Sequence, residues 1–310
     1  MSFETRALQL YAYQRRHCEI YVQFLKLVGA YHLEPSSWEE IPMLPITLWK
    51  SAQVKSGHWS AEKVFYSSGT TAMTRSSHFI RDLAWYHRNA EEIWTATFGP
   101  LEDYVFISLL PNYHLNPSSS LLSMVDHFME RSADGLRHYF LDDIVDLYGF
   151  IEQHKDDRLV LFGVSFALLD YAGQYNHLDL DNLIVIGTGG MKKDKRRITR
   201  TQLHQQLASC FGSARICSEY GMTECLSQLY SDGPFFQQND QMRIQVYDPT
   251  DPRAVLPSGT RGRIGIIDLA NIDSLAFILT DDLGRIDEDG RVEILGRIDQ
   301  TDLRGCNYLI

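Results

Sequence analysis

Residues 183–192 read L-I-V-I-G-T-G-G-M-K. The apolar run at 183–186 does not alternate with polar residues, as befits a strand buried on both faces, and glycines end it abruptly. From 198 to 210 apolar residues return at helical spacing, so the stretch reads strand, glycine turn, helix. Gly189 and Gly190 then sit at the carboxyl end of a strand with Lys192 beside them, on the edge where open α/β sheets bind ligands.

The same alternation extends upstream. Runs at 104–110, 136–141 and 159–162 read as strands, and the longer amphipathic stretches at 119–129, 144–154 and 166–175 read as helices. This predicts an α/β fold whose mostly parallel sheet is covered by helices. Beyond Tyr230 the period changes. Segments 241–247, 262–269, 277–280 and 291–294 read as short strands separated by Asp-Pro, Pro-Ser-Gly, Asp-Leu-Gly and Asp-Gly turns, which predicts antiparallel hairpins or a small barrel. Ahead of the alternation, 7–31 reads as one long helix stopped by Gly29, 35–49 as an irregular connector, and 80–98 as a helix.

The 310 residues are 44% hydrophobic and 12% aromatic, enough for a substantial core in one large domain or two smaller ones. A net charge of −11 speaks against nucleic acid as a partner, so an anionic ligand needs a local positive pocket. Six of the nine residues at 192–200 are basic; apart from Lys192 they read as a solvated helix face. The five cysteines include no C-x-x-C pair, fit neither a disulfide framework nor a zinc site, and read as reduced thiols. No stretch approaches the ~20 apolar residues of a bilayer span, and residues 1–14 lack the apolar core of a signal peptide. These features predict a cytoplasmic protein without a membrane span.

Residues 66–76, Y-S-S-G-T-T-A-M-T-R-S, follow a strand-like K-V-F. Gly69 lets the backbone approach a ligand, Ser67, Ser68, Thr70 and Thr71 offer hydroxyls beside exposed N–H groups, and Arg75 adds a fixed charge. The residues by themselves leave two readings open, a loop that wraps phosphate or only a hydroxyl-rich turn.

Five segments in order fit one ligand, a nucleotide with an activated carboxylate: 66–76, 186–192, 218–224 (S-E-Y-G-M-T-E), 279–284 (L-T-D-D-L-G) and 296–305 (G-R-I-D-Q-T-D-L-R-G). The ordered set resembles the adenylate-forming superfamily of acyl-CoA synthetases, peptide-synthetase adenylation domains and luciferases. The resemblance implies an adenylate-forming large domain over 1–295, with 230–295 as its β-rich subdomain, 296–310 as a hinge and short tail, and the usual C-terminal domain truncated. It implies ATP and Mg²⁺ as cofactors. The superfamily's phosphate loop, S-G-T-T-G-x-P-K-G, is kept at Ser68, Gly69, Thr70 and Thr71, while its second glycine, proline and lysine are replaced and Arg75 preserves the charge.

By the same resemblance Tyr220 stacks on adenine with Gly221 beside it, Thr223 touches the α-phosphate and Glu224 holds Mg²⁺. Asp282 takes the ribose hydroxyls, Gly189 and Gly190 line the nucleotide, and Arg297 is the catalytic arginine near a hinge at Asp299. The superfamily's catalytic lysine lies in the domain expected to be missing, so adenylation would use another cation, a flexible tail or another subunit, and Lys192 is placed to compensate.

Within the superfamily the likeness narrows to LuxE-type acyl-protein synthetases, the subunit of the bacterial luminescence fatty-acid reductase. It rests on L-L-P-N-Y at 109–113, S-S-L-L-S-M-V-D-H at 119–127, the glycine turn before Lys192, and R-G-C-N at 304–307. That implies a fatty acid activated with ATP, carried as a thioester on Cys306, and passed to an acyl reductase or acyltransferase partner. A thiolate is a strong nucleophile near neutral pH, an acyl adenylate is an activated electrophile, and Arg304 would favour the thiolate. Cys217 and Cys225 read as core packing and His114 as polar filler. Two rival readings are a CoA ligase of the phenylacetate type, with CoA as the acceptor, and a nucleotide-binding partner subunit that has lost catalysis.

Overall fold

The computed structural model of the protein describes residues 1–68, 75–141, 144–174, 179–189 and 199–298. Its contacts divide into two units. One gathers Met1–Leu83, Thr223–Ser227 and the chain from Gln237 onward; the other holds Ala84–Met222 and Gln228–Phe236.

The second unit carries the predicted α/β fold. Its strands run His138–Tyr139, Val105–Leu109, Leu159–Val164, Leu183–Thr188 and Arg215–Tyr220, each parallel to the next. Leu229–Asp232 follows antiparallel, with Glu219 opposite Tyr230. Alternate residues of Val105–Leu109 serve two faces, as strand geometry requires. Val105, Ile107 and Leu109 enter a core with Leu147, Leu168, Leu207 and Phe211, which come from helices Ile144–Gln153, Ser165–Gln174 and Arg200–Phe211. Phe106 turns the other way, its ring centroid 5.0 Å from Trp94 and 5.9 Å from Phe128 on helices Leu83–Phe98 and Ser120–Glu130. Helices on both faces account for the unbroken apolar runs. Thr199 starts Arg200–Phe211 with a full capping box closed by Gln202, which satisfies the first free N–H groups of that helix.

The first unit is a meander. Met242–Tyr247, Gly262–Asp268, Phe277–Ile286 and Val292–Arg297 pair antiparallel in sequence order, and Leu44–Pro45 lies parallel to Phe277–Ile286. A separate hairpin joins Lys63–Tyr66 to Ser77–Ile80.

Several sequence expectations are corrected here. The helix expected over 7–31 is two, Phe3–His17 and Glu19–Leu27, because Cys18 takes extended dihedrals (φ −95°, ψ 101°) and bridges to Ser56 with its side chain fully buried. The connector at 35–49 contains a short strand and two 3₁₀ turns. The helix expected from 80 begins at Leu83, since Ser77–Ile80 is a strand. No turn separates strands at Asp282: Phe277–Ile286 runs straight through, with a register shift between Leu283 and Gly284. Gly284 serves close strand packing, because a Cβ there would stand 2.5 Å from the Glu293 carbonyl oxygen.

Candidate functional site

In the first unit the hydroxyl-rich loop is closed at its base. Ser67 N–H donates to the Ser76 carbonyl at 3.0 Å, Ser76 N–H donates to Ser67 Oγ at 2.9 Å, and Arg75 Nε donates to the Ser67 carbonyl at 2.6 Å. Ser68 and Arg75 are exposed, whereas Ser76 is buried. Gly69, Thr70 and Thr71 lie outside the described residues.

Ser76 faces Glu224, and its hydroxyl donates to the Glu224 carboxylate. Glu224 is only 4% exposed, and burial raises its pKa. The Ser76 bond and the positive charge of Arg297 oppose that shift, while Asp282 reinforces it. Strand register brings the last two together. Asp282 and Arg297 are directly paired across Phe277–Ile286 and Val292–Arg297, with Arg297 Nε 3.4 Å from Asp282 Oδ1. Thr280 orients this end of the strand: its hydroxyl donates to the Ile264 carbonyl and accepts from Asp282 N–H. Arg263 pairs with Asp281 at 2.8 Å, so the two neighbouring aspartates have different partners.

Thr223 and Glu224 lie in a turn, and their backbone is held from outside. The Thr223 carbonyl lies 2.7 Å from His78 Nδ1, the Glu224 carbonyl accepts from Asn271 Nδ2 at 2.8 Å, and His78 Nε2 lies 3.1 Å from Asn271 Oδ1. Burial pushes the His78 imidazole down to about 4, against its contacts to Thr223 and Asn271. Because a carbonyl only accepts, the Thr223 contact requires the proton on Nδ1, and the Nε2–Oδ1 approach is then a close contact and no hydrogen bond. Asp268 fastens the residues that follow, accepting from the N–H groups of Leu226 and Ser227 and from the Ser227 hydroxyl. These three polar residues were missed in the sequence. The available signal was the placement of Asp268 and Asn271 in the apolar run I-G-I-I-D-L-A-N, where buried polar groups need partners.

The second unit holds the other described candidates. Gly189 takes a left-handed φ of 74° at the carboxyl end of Leu183–Thr188, and its carbonyl lies 3.3 Å from the donating Ser165 hydroxyl. Tyr220 is buried, its ring centroid 5.8 Å from that of Phe236. A Cβ at Gly221 would stand 2.4 Å from Glu219 Oε1, so a larger residue there would displace the end of that side chain. Glu219 is buried and accepts a hydrogen bond from Thr188, and burial pushes its carboxyl up to about 7. Gly190, Lys192 and Cys306 lie outside the described residues.

Cys18, Cys210, Cys217 and Cys225 are buried thiols outside any disulfide. Burial pushes the Cys210 thiol up to about 11 and the Cys217 thiol up to about 12, so both stay protonated and inert at neutral pH. Among the described residues, no helix is long and apolar enough to cross a membrane.

Comparison with known proteins follows the same line. No curated protein sequence matches the chain. ATP-bound MatB from Rhodopseudomonas palustris superposes with a TM-score of 0.53 at 22% identity, covering 76% of this chain and 47% of MatB. A 2-hydroxyisobutyryl-CoA ligase in the postadenylation state gives 0.66 at 15% identity, covering 95% of this chain and 67% of the ligase. A long-chain-fatty-acid-CoA ligase, FadD1, from Archaeoglobus fulgidus gives 0.53 at 18% identity, covering 76% and 51%. The chain thus spans about half the length of MatB and FadD1, and these likenesses bear on its fold. The family model described as acyl-protein synthetase, LuxE, matches residues 153–310, just over half of the chain, and the protein belongs to that family.

Proposed function

We propose that the protein activates a carboxylic acid, a fatty acid by its family likeness, as acyl-AMP and then carries the acyl group as a thioester on Cys306. The observation that carries this reading is the meeting of Ser76, Glu224, Asp282 and Arg297: a buried carboxylate at the base of a hydroxyl-rich loop, a second carboxylate, and a cation. In the first step a carboxylate oxygen of the acid bonds to the α-phosphorus of ATP, and the bond to the departing pyrophosphate breaks. Hydroxyls of Ser67, Ser68, Thr70 and Thr71 and N–H groups from Ser68 to Thr71 hold phosphate oxygens, Arg75 and Arg297 offset their charge, and Asp282 accepts from the ribose hydroxyls. Tyr220 and Gly221 take the adenine, Thr223 the α-phosphate, Gly189 and Gly190 the nucleotide, and Lys192 serves as a catalytic cation.

The residues suit Mg²⁺, which takes one or two carboxylates together with phosphate oxygens. Glu224 is such a carboxylate with Asp282 in electrostatic range, and no group of three or more candidate ligands exists among the described residues, so the nucleotide would supply most of the coordination. When bound, the ion neutralises charge on the leaving pyrophosphate. In the second step the Cys306 thiolate attacks the acyl carbonyl carbon, the bond to AMP breaks, and the thiol proton has gone to solvent. Protonated, buried thiols at Cys210 and Cys217 favour Cys306 as the acceptor. Residues 296–310 would act as hinge and carrier tail, delivering the acyl group to an acyl reductase.

Incubation with ATP, Mg²⁺ and labelled fatty acids of several lengths tests the reading. Wild-type protein should acquire hydroxylamine-labile label, and Cys306→Ser should lose it while keeping acid-dependent ATP–pyrophosphate exchange. Unlabelled wild-type protein that instead makes acyl-CoA when CoA is added would replace Cys306 with CoA as the acceptor.

A further inference from the structure

We propose that His78 and Asn271 are positioning residues for the adenylation step, holding the Thr223–Glu224 peptide by its two carbonyl oxygens so that the Glu224 carboxylate meets metal and phosphate in one fixed place. The inference rests on the function proposed above and adds residues to it.

Glu224 stands in a turn, so its backbone lacks the regular ladder that orients a strand residue. Buried carbonyls in such a turn need donors from elsewhere. His78 supplies one to Thr223 at 2.7 Å, and Asn271 supplies the other to Glu224 at 2.8 Å.

The arrangement is economical. Ser76, just ahead of strand Ser77–Ile80, and His78 within it are two residues apart and both buried. Ser76 takes the Glu224 carboxylate while His78 takes the carbonyl just before it, so one short segment grips both the head and the root of the side chain. Asn271 is anchored in turn. Its Nδ2 also donates to the Leu275 carbonyl, and Gln14 spans the loop, donating to the carbonyls of Asn271 and Ile272 and accepting from Ala276 N–H. Helix Phe3–His17 thereby braces the peptide that carries Glu224. A metal-holding carboxylate placed by outer residues typically loses 10- to 100-fold in metal affinity or activity when those residues are removed.

The test uses His78→Phe, which keeps an apolar ring and removes both nitrogens, and His78→Gln, which restores one amide donor. Hydrogen exchange on the ligand-free protein should show the 223–228 peptide exchanging about tenfold faster in His78→Phe, with strand Gly262–Asp268 unchanged, and near wild-type protection in His78→Gln. Acid-dependent ATP–pyrophosphate exchange should fall about 10- to 100-fold in kcat for His78→Phe, with KM for ATP and acid within about threefold, and recover largely in His78→Gln. If His78→Phe does not fold, Asn271→Asp makes the same test at the second carbonyl, where an acceptor replaces the donor. Unchanged protection of 223–228 in a folded variant overturns the proposal, as does a loss spread evenly over the core. Should wild-type protein show no acid-dependent exchange, the function proposed above falls while the protection data still decide the clamp. Should Glu224→Gln be inactive and His78→Phe fully active, the clamp alone falls.

Discussion

Asp282 and Arg297 stand opposite each other in one antiparallel register, with Arg297 Nε 3.4 Å from Asp282 Oδ1. Asp282 is nearly buried at 12% side-chain exposure, whereas Arg297 is 57% exposed, so the pair adds little to stability and leaves the arginine within reach of a ligand. A carboxylate that accepts two ribose hydroxyls should contribute about 1.5–3 kcal/mol for each charged hydrogen bond. Asp282→Ala is expected to weaken ATP and a non-hydrolysable acyl-AMP analogue together, by about tenfold or more, in calorimetry. Unchanged affinity for both would remove Asp282 from the ribose role.

Ser76 is the hydroxyl that donates to the buried Glu224 carboxylate. Ser76→Ala deletes that donor and leaves Glu224 to burial and to the charges of Asp282 and Arg297. Loss of a hydrogen bond to a charged group costs about 1.5–3 kcal/mol. Titrating Mg²⁺ in the exchange assay should show the half-activating concentration rising about tenfold, and an unshifted curve would show that Ser76 plays no part in presenting the carboxylate.

Glu219 gives a pH prediction. Burial raises its carboxyl from 4.5 to about 7 in the folded protein, against the Thr188 hydrogen bond and the charge of Arg200. The unfolded chain therefore loses this proton first, and the group's contribution to stability, full below about 4.5, is lost as pH rises to about 7. Glutamine keeps an acceptor for Thr188 and has no proton to lose. The stability advantage of Glu219→Gln over wild type should grow between pH 4.5 and 7 by on the order of 3 kcal/mol and level off above, as read by urea unfolding. A difference that does not change with pH would mean that the carboxyl is not held protonated.

The fold was legible where one pattern had one meaning. L-I-V-I-G-T-G-G reads as a buried strand running into a turn, and Leu183–Thr188 is an inner strand between Leu159–Val164 and Arg215–Tyr220. Family likeness singles out the motifs of Thr223, Glu224, Asp282 and Arg297, and the structure brings the last three within electrostatic range. Cys18 was not, since a single break in helical spacing leaves the apolar period intact. Asp-Leu-Gly at 282–284 misled because glycine marks close strand packing as readily as a turn, a choice that depends on Glu293 across the ladder. His78 and Asn271 act through backbone carbonyls 145 and 47 residues distant in sequence, and carbonyls have no sequence signature.

Acid-dependent ATP–pyrophosphate exchange in wild type and Glu224→Gln is the most direct measurement of the central claim, that Glu224 serves adenylation. Glutamine preserves shape and an acceptor for Ser76, so the variant should fold with an unchanged circular dichroism spectrum. The account predicts exchange in wild type that requires both Mg²⁺ and a carboxylic acid, and a loss of about 10²-fold or more in the variant, the scale of removing a preorganised charge-stabilising group. Exchange in Glu224→Gln at the wild-type rate, or no acid-dependent exchange in the wild-type protein with any fatty acid, would contradict it.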